Sequence, residues 1–158
     1  MTLFSFADST KLATRVLAEG YGPGAWHGPD LKAALADVTA AEASRRPAPG
    51  RHNIAEIAAH HAFYQHAVRG RLLGNTIEPF HFDGEDWFVI DDVSDAAWRD
   101  IVALVGRLQQ QLLEAVTNIE TGRVTSPMSP QERFDTLLGI TCHAVYHAGQ
   151  MRLVRQIG

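Results

Sequence analysis

Cysteine is almost absent from this chain of 158 residues, which contains only Cys142. A single cysteine excludes an internal disulfide framework, and so makes a reducing compartment, the cytoplasm, the expected location. We expect the lone thiol to behave as a small buried hydrophobe. The N-terminal stretch also lacks the basic start and long apolar segment of a signal peptide.

Long hydrophobic runs and basic clusters are missing as well. No apolar segment approaches the roughly 18 residues of a membrane-spanning helix, so we expect no membrane partner. The 14 Lys and Arg residues are scattered and outnumbered by 18 Asp and Glu residues, which gives a formal net charge of −4. This balance argues against nucleic acid as a partner.

The residues that are present describe an ordinary globular protein. Hydrophobic residues make up 46% of the chain and charged residues 20%. No internal repeat or low-complexity tract interrupts this composition. We therefore expect a single domain over residues 1–158 with one sizeable core.

Helix-start and helix-stop residues divide the chain into three long helices and a broken N-terminal helical region. Asn53 is a predicted N-cap, and its helix is expected to run to Gly70 or Gly74. Ser94 precedes the clearest amphipathic helix, in which apolar residues recur at a spacing of three, four and seven. Ser129 begins the last helix.

The end of the chain and the middle segment complete the predicted fold. The last helix is expected to reach Ile157, after a capping box formed by Ser129 and Glu132. Residues 75–93 have no helical period and many turn formers, which predicts a long loop between the second and third bundle helices. We find no convincing strand beyond a short extended piece at 87–90. The sequence therefore predicts an all-α fold, a four-helix bundle.

Histidine is the unusual component, with eight residues in the chain. His143 and His147 lie four apart in the last helix, so their side chains project side by side within an apolar stripe. Buried imidazoles need hydrogen-bond partners or a metal ion, and such a pair can place two ring nitrogens on one cation. Two core histidines bonded to neighbouring groups remain the alternative.

A third metal ligand must come from another helix. The helix after Asn53 offers His60, His61 and His66. On a helical wheel, His61 lies in the middle of the apolar side, His60 at one edge, and His66 on the opposite, solvent-facing side. The helical wheel alone slightly favours His61 over His60 as the third ligand.

Four short motifs occur in a fixed order along the chain. They are Trp26-His27-Gly28-Pro29, Pro47-Ala48-Pro49-Gly50, a helix with Glu56 four residues before His60, and His143-x-x-x-His147-x-Gly149-Gln150. From the first motif to the last, the match spans nearly the whole chain. In this combination the sequence resembles the DinB-like (YfiT-like) family of bacterial four-helix-bundle proteins.

The resemblance implies a metal site with one histidine from the second bundle helix, four residues after a glutamate, and two from the last. Carried onto this chain, the ligands are His60, His143 and His147. The resemblance favours His60 over His61, which stands where the family usually has an aliphatic residue. His61 is then a spare ligand, a partner of the ligands or a core residue. Three imidazoles suit Zn, Ni or Fe and leave open positions, as catalytic sites do.

Three further residues lie near the expected site. Gln150 and Tyr146 flank the ligand face, where they either orient substrate or simply pack between helices. Glu56 lies one turn from His60 and is a candidate base, although capping its own helix explains it more simply. No catalytic residue is identified by the sequence.

The resemblance also implies a class of function. Family members of this build include thiol transferases, which add a low-molecular-weight thiol to a small electrophile at a metal ion. The alternatives are a metal-dependent hydrolase, a non-catalytic metal-binding stress-response protein, and a bundle without metal. The last helix has apolar residues away from the ligand face, such as Leu138 and Leu153, which together with the resemblance predict a homodimer.

Overall fold

Six α-helices make up the computed structural model, which describes residues 6–74 and 77–157 and contains no strand within them. The helices are α1 Phe6–Tyr21, α2 Leu31–Leu35, α3 Ala40–Ser44, α4 Ile54–Leu73, α5 Asp95–Glu120 and α6 Pro130–Ile157. The all-α prediction is confirmed. Residues 77–93 form the predicted loop between α4 and α5, and residues 75 and 76 lie outside the described part.

The four longer helices form the predicted bundle. α1 packs against α5 and α6, and α4 packs against the same two helices, so the order around the bundle is α1, α5, α4, α6. The short helices add to one side each, α2 against α6 and α3 against α4. This arrangement places α4 and α6, the two histidine-bearing helices, next to each other. Within the described residues, no helix is both long and apolar enough to cross a bilayer.

The predicted capping residues begin and end these helices. The Asn53 side chain accepts a hydrogen bond from the Glu56 amide at 2.9 Å and thereby starts α4. Gly74 ends α4 in the left-handed conformation, with φ of 59°. The Ser129 amide donates to the Glu132 carboxylate at 2.7 Å, which caps α6. These local contacts fix where the histidines fall along each helix.

Two apolar clusters fill the bundle, one above the other along its length. Leu31, Ile57 and Met151 belong to the first cluster, and Leu72 and Leu112 to the second. Each forms from the inward faces of several helices, so the burial that stabilises the bundle is shared between them.

Near the boundary between the two clusters lies a small polar layer, defined here as His61, Gln65 and Gln109. All three side chains are buried. Gln65 Nε2 donates to Gln109 Oε1 at 2.9 Å, which joins α4 to α5. The polar layer therefore interrupts the apolar core next to the histidines of α6.

Candidate metal centre

His60, His143 and His147 lie together between α4 and α6. The Nε2 atom of His143 is 3.3 Å from His60 Nε2 and 3.1 Å from His147 Nε2. The possible ligand atoms of the three residues all lie within 4.8 Å of one another. His60 and His147 are buried and His143 is partly buried.

The other ring nitrogen of each histidine has a partner of its own. His60 Nδ1 is 2.6 Å from the backbone oxygen of Asp86, and His147 Nδ1 is 2.8 Å from Gln150 Oε1. Because these oxygens only accept, the Nδ1 atoms of His60 and His147 carry the protons. Their Nε2 atoms are therefore unprotonated, and the lone pair of each points at His143 Nε2.

This arrangement tests whether the residues fit a metal ion. Nitrogen lone pairs that face one another at about 3 Å repel unless a proton or a cation lies among them. Neutral imidazole, bound through one nitrogen with its other N–H held by a carbonyl, is the usual state of a histidine ligand. The three side chains therefore fit a divalent ion, and three protein ligands leave it further positions to fill.

The environment keeps these imidazoles neutral. Burial, aided by the neighbouring His147 and His60, lowers the pKa of His143 to about 3. Burial likewise lowers the pKa of His147 to about 4, although its bond to Gln150 acts in the opposite direction. The pKa of His60 is also lowered, mainly by burial. Unprotonated nitrogens are thus available near neutral pH.

His61 faces the opposite edge of His143 from the three converging nitrogens. Its Nδ1 atom is 3.0 Å from His143 Nδ1. Only 1% of the residue is exposed, and burial lowers its pKa well below the ordinary value. The wheel favoured His61 as third ligand, but α4 packs against both α5 and α6. The centre of its apolar side therefore points into the core, and the edge that carries His60 turns toward α6.

Gln150 and Tyr146, the two flanking residues, differ in their relation to the site. Gln150 holds His147 through the 2.8 Å contact described above. Tyr146 is 67% exposed and meets the His147 ring edge-on at 5.1 Å between ring centroids. Gln150 therefore lies behind a candidate ligand, whereas Tyr146 stands at the outer rim.

The loop over residues 77–93 contributes contacts that the sequence did not predict. Trp87 is sandwiched between His52 and His60, with ring centroids at 3.7 and 3.8 Å and planes inclined by 10° in each case. Tyr64 donates to Asp86 Oδ2 at 3.0 Å, which holds the residue whose carbonyl binds His60. The aromatic residues of this loop, Phe80, Phe82, Trp87 and Phe88, were the sequence signal that the segment packs against the bundle.

Glu56 neither caps α4 nor reaches the histidine group. Its buried carboxylate bonds to Arg46, to His52 at 2.8 Å and to the Ile90 amide at 3.0 Å. Burial alone would raise the pKa of Glu56, but the bonds from Arg46, Ile90 and His52 outweigh it and lower the pKa. The simpler explanation from sequence, that Glu56 caps its own helix, is therefore wrong, because partners distant in sequence claim the carboxylate.

Two other expectations need correction. His66, predicted to point to solvent, is only 8% exposed because the loop folds over it and brings the Phe80 ring to 5.5 Å. Cys142, predicted to be buried, is exposed. It lies about 100° around α6 from His143, and that direction faces outward.

A groove of about 390 Å³ runs alongside the centre between α4 and α6. It is lined by Tyr64, Val68, Arg71, Thr136, Ile140 and His143, among others. Its walls are mostly apolar, and His143 is common to the groove and to the histidine group. A small molecule in the groove would therefore lie beside any ion that the three histidines hold.

Comparison with known proteins agrees with this architecture. A family model described as the DinB superfamily matches residues 25–151, which include both histidine-bearing helices up to Met151. No curated protein and no solved structure matches the chain. The match extends over most of the sequence and includes all three histidines of the centre, and the chain belongs to the DinB superfamily.

Proposed function

We propose that this protein is a cytoplasmic metal-dependent enzyme of the thiol-transferase type, which joins a low-molecular-weight thiol to a small electrophile. The observation that carries the proposal is the convergence of three Nε2 atoms, each from a ring whose other nitrogen is held from behind. A divalent ion at this position, Zn, Ni or Fe, would favour deprotonation of a thiol bound to it. The reducing cytoplasm keeps such thiols available.

The side chains around the centre suit this reaction. His60, His143 and His147 would hold the ion, and Asp86 and Gln150 keep two of the rings in position. The mostly apolar groove beside His143 is a suitable place for the body of the thiol or of the electrophile. Tyr146 does not line this groove and meets the edge of His147 from the outside.

A non-catalytic metal-binding role is the second candidate. The observation that favours it is the cover over the centre: Trp87 lies flat on His60, and His147 is 3% exposed. Such a cover would slow the exchange of an ion as well as shield it. The two candidates share the centre and differ only in turnover.

Elemental analysis of the purified protein tests the centre on which both candidates depend. We expect about one divalent ion per chain in the wild type and loss of that ion in His143→Ala. His81→Ala is the matched control, because His81 is exposed on the loop and should leave the metal content unchanged. Metal-free wild-type protein that also fails to take up added Zn²⁺ would remove the proposal.

Turnover separates the enzyme from the binding protein. The metal-loaded protein is mixed with a panel of small thiols and an activated electrophile, and consumption of free thiol is followed. The transferase predicts turnover that His143→Ala abolishes and His81→Ala retains. Hydrolysis of ester substrates without thiol would instead indicate a hydrolase, and inactivity towards both panels would favour the binding role.

We also propose that the protein forms the homodimer predicted from its sequence. Large apolar side chains remain exposed on the outer side of α6: Phe134, Leu138, Tyr146, Leu153 and Ile157. They follow one side of a helix of 28 residues, and an apolar stripe of this kind is more typical of an interface than of a solvated surface. A second copy of the same stripe is a complementary partner for it.

A further inference from the structure

His61 makes a contact that constrains where the protons of the centre lie. Its Nδ1 atom and that of His143 are 3.0 Å apart, so one of them must donate and the other accept. The Nε2 atom of His143 points at His60 and His147, at 3.3 and 3.1 Å. An ion held there takes that lone pair, and the neutral ring of His143 keeps its proton on Nδ1.

We propose that His61 is a positioning residue for the centre, which accepts the Nδ1–H of His143 and thereby fixes the orientation and tautomer of that ligand. The inference rests on the proposed metal site. It completes a pattern, because His60 and His147 already have acceptors of this kind in the Asp86 carbonyl and Gln150. Such partners typically change metal affinity by 10- to 100-fold when they are removed.

The same assignment also determines which nitrogen of the His61 ring carries the proton. With Nδ1 as acceptor, the proton of neutral His61 lies on Nε2, which is buried and has no hydrogen-bond partner among the described residues. Gln65 Oε1, one helical turn further along α4, is also buried and without a partner there. A buried donor on His61 and a buried acceptor one turn along the same helix are thus both left without a partner among the described residues.

One buried water between these two atoms would join His61 to Gln65 and so link the centre to the rest of the polar layer. His143 would donate to His61, His61 through the water to Gln65, and Gln65 already donates to Gln109 at 2.9 Å. Every bond in this chain runs in the same direction, from α6 through α4 to α5. The direction is set by the ion, because the ion fixes the first proton.

A core histidine with an incompletely paired ring is unfavourable for folding alone. We therefore expect His61→Leu to lower the affinity for Zn²⁺ without lowering the stability of the metal-free protein. It should weaken Zn²⁺ binding by about 10- to 100-fold, measured by competition with a chromophoric chelator. The thermal midpoint of the metal-free protein should be unchanged or higher. A purely structural role predicts the reverse, a lower midpoint and unchanged affinity.

Two further variants sharpen this comparison. His61→Asn places an amide oxygen near the position of Nδ1 and should recover most of the lost affinity. Thr141→Val removes a different buried polar group of α6, whose hydroxyl donates to the Leu137 carbonyl at 2.8 Å, and should leave the affinity unchanged. Equal Zn²⁺ affinities in wild type and His61→Leu would overturn the inference while leaving the metal site intact.

Nitrogen NMR of ¹⁵N-histidine-labelled wild-type protein, loaded with Zn²⁺, decides the question without any variant that must fold. Two-bond correlations report which ring nitrogen carries the proton. The inference predicts a proton on Nε2 of His61 and on Nδ1 of His143. A proton on Nδ1 of His61, or a wild type that binds no Zn²⁺ at all, contradicts it, and the second outcome also removes the proposed function.

Discussion

Each histidine of the centre depends on an atom behind it. His60 has the Asp86 carbonyl, His147 has Gln150, and His143 has His61. These partners come from a loop, from the same helix and from the neighbouring helix. Loss of any one of these partners would free a ring to rotate, so the geometry of the site depends on residues beyond the three candidate ligands.

The lowered histidine pKa values predict a dependence of stability on pH in the metal-free protein. The pKa values of His143 and His147 are about 3 and 4 in the folded state, against about 6.5 in an unfolded chain. Below pH 6.5 the unfolded state therefore binds more protons, and the free energy of unfolding falls as the pH falls. Each histidine contributes at most about 1.4 kcal/mol per pH unit.

Urea unfolding at pH 7.5, 6.5, 5.5 and 5.0 measures this slope before most carboxylates titrate. We expect constant stability above about pH 6.5 and a progressive loss below it. The double variant His143→Gln, His147→Gln should have a flatter profile. An equally steep profile in that variant would show that other groups cause the dependence.

The choice between His60 and His61 shows what residue patterns alone leave undecided. Helix α4 is buried around much of its circumference, including consecutive residues from Ile54 to Ala62. A wheel finds no single inward face on such a helix. Family motifs favoured His60, and only the placement of α4 between α5 and α6 explains why an edge position faces the α6 histidines.

At the scale of elements, the loop over residues 77–93 is part of the site rather than a simple connection. Glu56 and Arg46 fasten its end: Glu56 accepts from the Ile90 amide, and Arg46 bonds to Asp91 at 2.6 Å as well as to Glu56. The fastened segment then presents Asp86 and Trp87 to His60. Loop and α4 are therefore coupled through a buried carboxylate.

Replacement of Glu56 should release the loop. Glu56→Gln removes the charge that pairs with Arg46 in a site where the carboxylate is 2% exposed. We expect the free energy of unfolding in urea to fall by about 3 kcal/mol, the lower part of the range for breaking a buried pair. Limited proteolysis should also cut within 77–93 sooner than in the wild type.

Glu78→Gln provides the control for this prediction. Glu78 belongs to the same loop and pairs with Arg69 at 2.7 Å, but its side chain is 53% exposed. The expected loss is below about 1 kcal/mol, with little change in proteolysis. Similar losses in the two variants would mean that Glu56 does not fasten the loop.

The helices were predictable because their signals are local, whereas the role of the loop was not. Asn53 and Ser129 cap helices through contacts three residues away, which a sequence displays directly. The partners of Glu56 include Arg46 and Ile90, 10 and 34 residues away. Contacts over such distances along the chain produce no periodic pattern in the sequence. The sequence therefore predicted a solvent-exposed loop.

At the scale of the whole molecule, helix α6 has two sides with different residues. The inner side of α6 carries His143 and His147, and its outer side carries the exposed apolar stripe. Cys142 also lies on this outer side, which is why the expectation of a buried thiol was wrong. Because the sequence of α6 is apolar on two sides, it predicted a homodimer. The bundle covers only the inner of these two sides.

Charges placed in the stripe test the proposed homodimer. Leu138 and Leu153 are 44% and 55% exposed, so Leu138→Glu and Leu153→Glu should be tolerated by the monomer fold. We expect sedimentation velocity to give a dimer for the wild type and a monomer for the double variant, because burying two charges per chain is unfavourable. Val89→Glu, an 83% exposed loop position, should remain dimeric. A monomeric wild type contradicts the proposal.

The stacking of Trp87 on His60 has a practical outcome. The chain has three tryptophans, and the other two are differently placed: Trp98 is buried with its indole nitrogen donating to the Val38 carbonyl, and Trp26 is 90% exposed. Only Trp87 touches the ring of a candidate ligand. An ion with unpaired electrons, such as Ni²⁺ or Cu²⁺, would quench the fluorescence of Trp87 selectively. The intensity of tryptophan emission would therefore report what fraction of the metal centres is occupied.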